Sequence, residues 1–83
     1  MWIRSQDKTK LYNLHNAQSI TISKSYGSRD REGNKLNSAI VLQHTPTYNV
    51  SLGLYPSEND CVRILDDIAR FMSEHNSEIF EMP

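Results

Sequence analysis

The hydrophobic period of this chain changes once, at Tyr55-Pro56-Ser57, and that change limits what the chain can fold into. Before it apolar residues alternate; after it they recur every three to four positions. Tyr48-Asn49-Val50-Ser51-Leu52-Gly53-Leu54-Tyr55 places Tyr48, Val50, Leu52 and Leu54 on one strand face and Gly53 on the other. The missing side chain at Gly53 marks a bulge or the close approach of another backbone. Pro56 stops the strand, Ser57 is an N-cap, and Ser57-Glu58-Asn59-Asp60 approximates a capping box with Asp60 in place of Glu. Glu58 and Asp60 complement the helix dipole. Cys61, Ile64, Leu65, Ile68, Phe71 and Met72 then form one apolar stripe, widened by Val62 and Ala69. The outer face offers Arg63–Asp67, Asp66–Arg70 and Arg70–Glu74 at i,i+4, each worth about 0.2–0.5 kcal/mol. The helix is expected to end near His75-Asn76.

Upstream, Met1 to Ser5 reads as a short strand, and Leu11-Tyr12-Asn13-Leu14 can return antiparallel to it after the polar turn Gln6-Asp7-Lys8-Thr9-Lys10. Ser19 to Tyr26 alternates, with Ile20 and Ile22 on one face and Thr21, Ser23 and Ser25 on the other. Gly27 to Asn34 is the most hydrophilic stretch and suits a long hairpin tip. Leu36 to Gln43 is apolar on both faces, Ile40 and Leu42 against Ala39 and Val41, which points to a central strand. His44-Thr45-Pro46-Thr47 makes the next turn. The expectation is one α+β domain over 1–83: an antiparallel meander of four to five strands in 1–55, then one helix over 57–76 packed on one sheet face. The tail, 77–83, carries Ile79, Phe80 and Met82, which dock either on the core or on a partner. The expected core comprises Ile20, Ile22, Ile40, Leu42, Val50, Leu52, Leu54, Ile64, Leu65, Ile68, Phe71 and Met72.

With 83 residues, a second independent core does not fit. A single cysteine, Cys61, excludes an intrachain disulfide framework. The opening residues lack the apolar run of a secretory signal, and no stretch approaches the roughly 20 apolar residues of a membrane span. A cytoplasmic protein is expected. Charge is polarised: residues 1–55 carry seven bases against three acids (+4), and residues 56–83 two bases against seven acids (−5), which sum to the net −1.

The opening Met1-Trp2-Ile3-Arg4-Ser5-Gln6-Asp7-Lys8 and the passage Leu52-Gly53-Leu54-Tyr55-Pro56-Ser57-Glu58, with Ile64-Leu65-Asp66-Asp67-Ile68, resemble a group of small uncharacterised proteins. They occur in Gram-positive bacteria and their phages, open with MWIRSQ, and pass from an LGxY strand into a terminal helix. The likeness covers about a quarter of the chain, at its two ends. Many members carry alanine where Cys61 stands, and the charged Arg29–Glu32 loop lies outside the likeness. The resemblance implies a small sheet-plus-helix domain in a bacterial cytoplasm and no particular activity.

Individual residues give little chemistry. Cys61 lies in the first helical turn, where a dipole can activate a thiol, but on the apolar stripe, where cysteine acts as a core residue. His15, His44 and His75 lack metal-site spacing, and Asp66 and Asp67 sit about 100° apart on a helix, so they do not converge as a catalytic dyad. No phosphate loop, nucleophile elbow or HExxH helix is present, so the expectation is a non-enzymatic protein that needs no cofactor and no metal. The preferred function is a protein-interaction or self-associating domain, a dimer included, with Ile79, Phe80 and Met82 as docking residues. The alternative is binding of single-stranded nucleic acid or an anionic ligand. The basic N-terminal region, interleaved with Trp2, Tyr12, Tyr26 and Tyr48, would serve it, with Arg29, Arg31 and Lys35 as contacts.

Overall fold

A computed structural model describes residues 1–74 and 78–83. The period change falls where the residues place it. Strand β5 (Tyr48–Tyr55) ends against Pro56, and helix α1 (Glu58–Glu74) begins after Ser57. Ser57 Oγ accepts from the Asp60 N–H at 3.2 Å, and the Ser57 hydroxyl donates to the Asp60 carboxylate at 2.9 Å. The helix end expected near His75-Asn76 lies outside the described residues, as does His75 itself. Before β5 come β1 (Trp2–Arg4), β2 (Leu11–Asn13), a 3-10 turn (Leu14–Asn16), β3 (Ser19–Lys24) and β4 (Ser38–Thr45). After the helix comes β6 (Ile79–Glu81).

The architecture is α+β, but the strands do not form one meander. Among the described residues six strands divide into two three-stranded sheets, ordered β2-β1-β6 and β3-β4-β5. The first joins an antiparallel β1–β2 pair to a parallel β1–β6 pair; the second is antiparallel throughout. The residues expected as a tail therefore form a sheet edge. Each strand of the first sheet is three residues long and turns its middle residue inward. Ile3 faces Tyr12 on one side and Phe80 on the other.

Helix α1 lies across β3-β4-β5 and the small sheet closes the remaining side. Ile3 and Met82 from the small sheet's side meet Ile40, Leu42, Leu52 and Tyr55 from the large sheet and Cys61, Ile64 and Ile68 from the helix. Each fully buried aliphatic side chain here contributes about 1.5–3 kcal/mol. Phe71 and Phe80, 5.3 Å apart edge to face, fasten the helix to β6.

Three details correct the expected pattern. A β-bulge lies in the β4–β5 ladder, where Ile40 pairs with Gly53 but Val41 pairs with Ser51, leaving Leu52 extra. The bulge reverses the parity of the strand beyond it, so Tyr55 takes the core position and Leu54 moves to the other face. Of the two suggested reasons for Gly53 the bulge is the one found; the close neighbour is not a backbone but the Tyr55 ring, whose hydroxyl a Cβ there would meet at 2.5 Å. On the helix, Arg63 pairs with Asp60 and Arg70 with Asp67, at i,i+3. Helical side chains lean toward the N-terminus, so each arginine reaches back one turn. Finally, Met72 is 45% exposed although it belongs to the apolar stripe.

Candidate docking groove along an open sheet edge

The large sheet has two edges, and the chain treats them differently. The edge of β5 is covered by Gln6. Its main-chain N–H donates to Leu52 O at 2.8 Å, its side-chain amide donates to Leu54 O at 3.0 Å, and its side-chain oxygen accepts from the Leu54 N–H at 2.8 Å. One glutamine thus imitates a neighbouring strand. A rigid turn presents it: the Asp7 carboxylate accepts from the Thr9 hydroxyl, the Thr9 N–H and the Ser5 hydroxyl at 2.6, 3.0 and 2.7 Å. Those bonds, those of Thr9 first, hold Asp7 at a pKa of about 2. Lys8 adopts a positive φ of 68° to close the turn.

The edge of β3 has no such cover among the described residues. Leu54 turns its N–H and C=O outward to Gln6, so Gly53 faces β4, and alternation across the ladders sets the rest. Thr21 and Ser23 bond to β4, whereas Ile20, Ile22 and Lys24 present their N–H and C=O groups to the open edge. The Ser25 N–H bond to Asn37 O, 2.9 Å, has the same parity. Strand β3 has no proline and no bulge, and its only charge is Lys24 at its end.

A groove follows this edge between β3 and α1. Its more apolar section, about 310 Å³, is lined by Leu14, Ala17, Ile20, Leu65, Ala69 and Met72, among others. Beyond Ile22 a more polar section of about 450 Å³ is lined by Lys24, Tyr26, Asn37 and Glu58. The half-buried state of Ile20, Ile22 and Leu65 follows from this: they touch the core on one side and the groove on the other. Strand edge, apolar channel and flanking helix are the geometry in which extended segments add to a sheet.

The predicted site residues distribute differently. Arg29, Arg31 and Lys35 lie on the hairpin between β3 and β4, where Arg29 bridges Lys35 across the hairpin and donates to Gly33 O at 2.8 Å. Asp30 organises the tip, accepting from the N–H groups of Glu32 and Asn34 at 2.9 Å each; the Asn34 bonds depress its pKa. Arg29 and Lys35 line a pocket of about 340 Å³ with Tyr26. The aromatics do not share a platform. Trp2 sits on the outer face of the small sheet, Tyr26 on the hairpin, and Tyr12 and Tyr48 flank His44 at 6.1 and 5.6 Å. Of the docking residues named from sequence, Met82 is buried at 1% and Phe80 packs on the core, which leaves only Ile79 exposed.

Cys61 is fully buried, and burial first, with Asp60 and Glu58 adding to it, pushes its thiol pKa up and disfavours the reactive thiolate. No cluster of three or more metal-ligating side chains occurs among the described residues, and no described helix is long and apolar enough to cross a membrane. The groove itself escaped sequence reading. Its signal was a helical stripe wider than one sheet face needs, Val62 and Ala69 included, beside a strand without edge protection. The stretches that carry the MWIRSQ and LGxY likeness are neighbours at the other edge of the sheet, Gln6 against Leu52 and Leu54. No family model, curated protein or solved structure matches the chain.

Proposed function

We propose that this chain is a non-enzymatic protein-interaction domain that takes an extended segment as an added strand along β3. The observation that supports it is the unequal treatment of two edges of one sheet: Gln6 closes β5, while β3 stays open beside an apolar groove. Main-chain bonds to Ile20, Ile22 and Lys24 would give affinity, and alternate side chains entering the groove against Leu65 and Met72 would give selectivity. A cytoplasmic setting belongs to the same proposal, as does kinship with the MWIRSQ proteins.

Selection from a random linear-peptide display library tests the reading, followed by amide chemical-shift mapping with the selected synthetic peptides. The expected result is perturbation centred on Ile20, Ile22, Lys24, Leu65 and Met72. Perturbation confined to Arg29, Arg31 and Lys35 would move the anionic-ligand alternative into its place.

A further inference from the structure

We propose that the segment β3 receives is the β3 of a second copy, paired antiparallel about a two-fold axis that passes between the two Thr21 residues. The inference rests on the strand-addition reading above and names its partner.

The strand Ser19-Ile20-Thr21-Ile22-Ser23-Lys24 is complementary to itself in this register. Thr21 meets Thr21, Ile20 meets Ile22, Ser19 meets Ser23, and Lys24 meets Gln18. The outward-facing residues Ile20 and Ile22 become the mutually hydrogen-bonded pair, as the alternation of an antiparallel ladder requires. Thr21 falls at the closely spaced, non-bonded position on the exposed outer face, where a threonine pair is favourable. The only charged residue of β3 is set against a neutral amide, so no like charges oppose each other.

Charge polarity supports the same register. The grooves fix the direction of the helix relative to β3: Glu58 lies beside Ile22 to Ser25, and Leu65 to Met72 lie beside Gln18 to Ile20. Antiparallel pairing therefore carries the hairpin of one copy, with Arg29, Arg31 and Lys35, past the partner's Gln18 toward the later half of its α1. That half bears Asp66 and Asp67, and it ends in the negative pole of the helix dipole. With Asp30 and Glu32 counted the hairpin is net +1, and with Arg70 and Glu74 counted residues 66–74 are net −2, so the contact sets opposite but modest charges against each other. The junction is a single six-residue strand with its flanking groove, which places it at the small end of interfaces, below roughly 1,200 Å². The dimer is accordingly weak, with a dissociation constant of about 10–100 μM, and weaker still as salt is raised.

The test is sedimentation equilibrium of the full chain from about 10 μM to about 1 mM, on wild type, Thr21→Lys, Thr21→Glu and an equimolar mixture of the two variants. Thr21 is exposed and faces away from the core, so neither substitution removes a core contact. Wild type is expected to dimerise. Each variant alone should lose affinity by about tenfold or more through like charges on the axis, and the mixture should recover it. A wild type that stays monomeric throughout overturns the homotypic proposal, as does a mixture no tighter than its components. Peptide binding at Ile20, Ile22 and Lys24 by that monomer would keep strand addition with a foreign partner. Absence of both would remove the parent reading as well.

Discussion

Strands β5 and β3 are the two edges of one antiparallel sheet, and they divide stability from availability. On β5 the chain spends side chains on closure: a bulge at Leu52, a ring laid over Gly53, and a glutamine amide across Leu54. The inward residues of that strand, Leu52 and Tyr55, are buried at 1% and 6%. On β3 the inward residues Ile20 and Ile22 remain half-buried, and the helical residues above them, Leu65 and Met72, border a groove. Uncovered edges invite pairing with other chains, so an edge left plain beside one that is sealed marks where pairing is tolerated.

That division predicts unequal energetics. Leu52→Ala, which empties a fully enclosed site beside the bulge, should cost about 3 kcal/mol of unfolding free energy in urea titration. Met72→Ala, at a groove wall 45% exposed, should cost under about 1 kcal/mol. Equal losses at the two sites would abolish the distinction between a structural side and a spare one. Next in size is Gln6→Ala, which leaves the Leu54 N–H and C=O without their partner and should cost about 1–2 kcal/mol. Amide exchange supplies a local check: the Leu54 amide should accelerate in this variant while those of Thr21 and Ser23, held in the β3–β4 ladder, change only with global stability. If instead all three accelerate equally, Gln6 is not a local clamp.

Legibility in the sequence depends on the length and locality of each element. Strand β5 and helix α1 were legible because each repeats its period several times and a proline and a serine separate them. Strand β4 was legible as central because Ala39, Ile40, Val41 and Leu42 are apolar on both faces. The small sheet was not legible as such. Its strands offer one inward residue each, Ile3, Tyr12 and Phe80, too few to establish a period, and the β1–β6 pairing joins residues 77 positions apart, Ile3 to Phe80. The bulge at Leu52 was equally hidden. One extra residue exchanges the faces of everything after it, so the regular run Leu52-Gly53-Leu54 suggested Leu54 for the core when Tyr55 occupies it. Gly53 was the visible trace, and it showed that something happens there without showing which way the strand turns. The groove was concealed by the assumption that an apolar stripe is wholly consumed by its own sheet. Leu65 and Met72 share a helical face with Ile68, yet a three-stranded sheet ending at β3 offers them no complete cover.

The smallest effect, acid titration, separates the two edges by chemistry alone. Asp7 is held at a pKa of about 2 against an ordinary 3.8, chiefly by its bonds from Thr9 and Ser5. Its folded-state value is lowered, so its contribution is complete above the ordinary value and disappears as pH falls through about 2. Protonation removes acceptor capacity from the turn that aims Gln6, and the β5 clamp should loosen with it. Strand β3 contains no carboxylate, so nothing within it titrates in that window. Amide chemical shifts followed from pH 5 downward, over the range where the chain stays folded, should therefore move at Gln6 and Leu54 with a midpoint near 2. Those of Ile20 and Ile22, which have Glu58 and not Asp7 as the neighbouring carboxylate, should show no midpoint near 2. A midpoint near 4 at Gln6 and Leu54, close to the ordinary carboxyl value, would mean that Asp7 does not hold the turn and that the closure of β5 owes nothing to it.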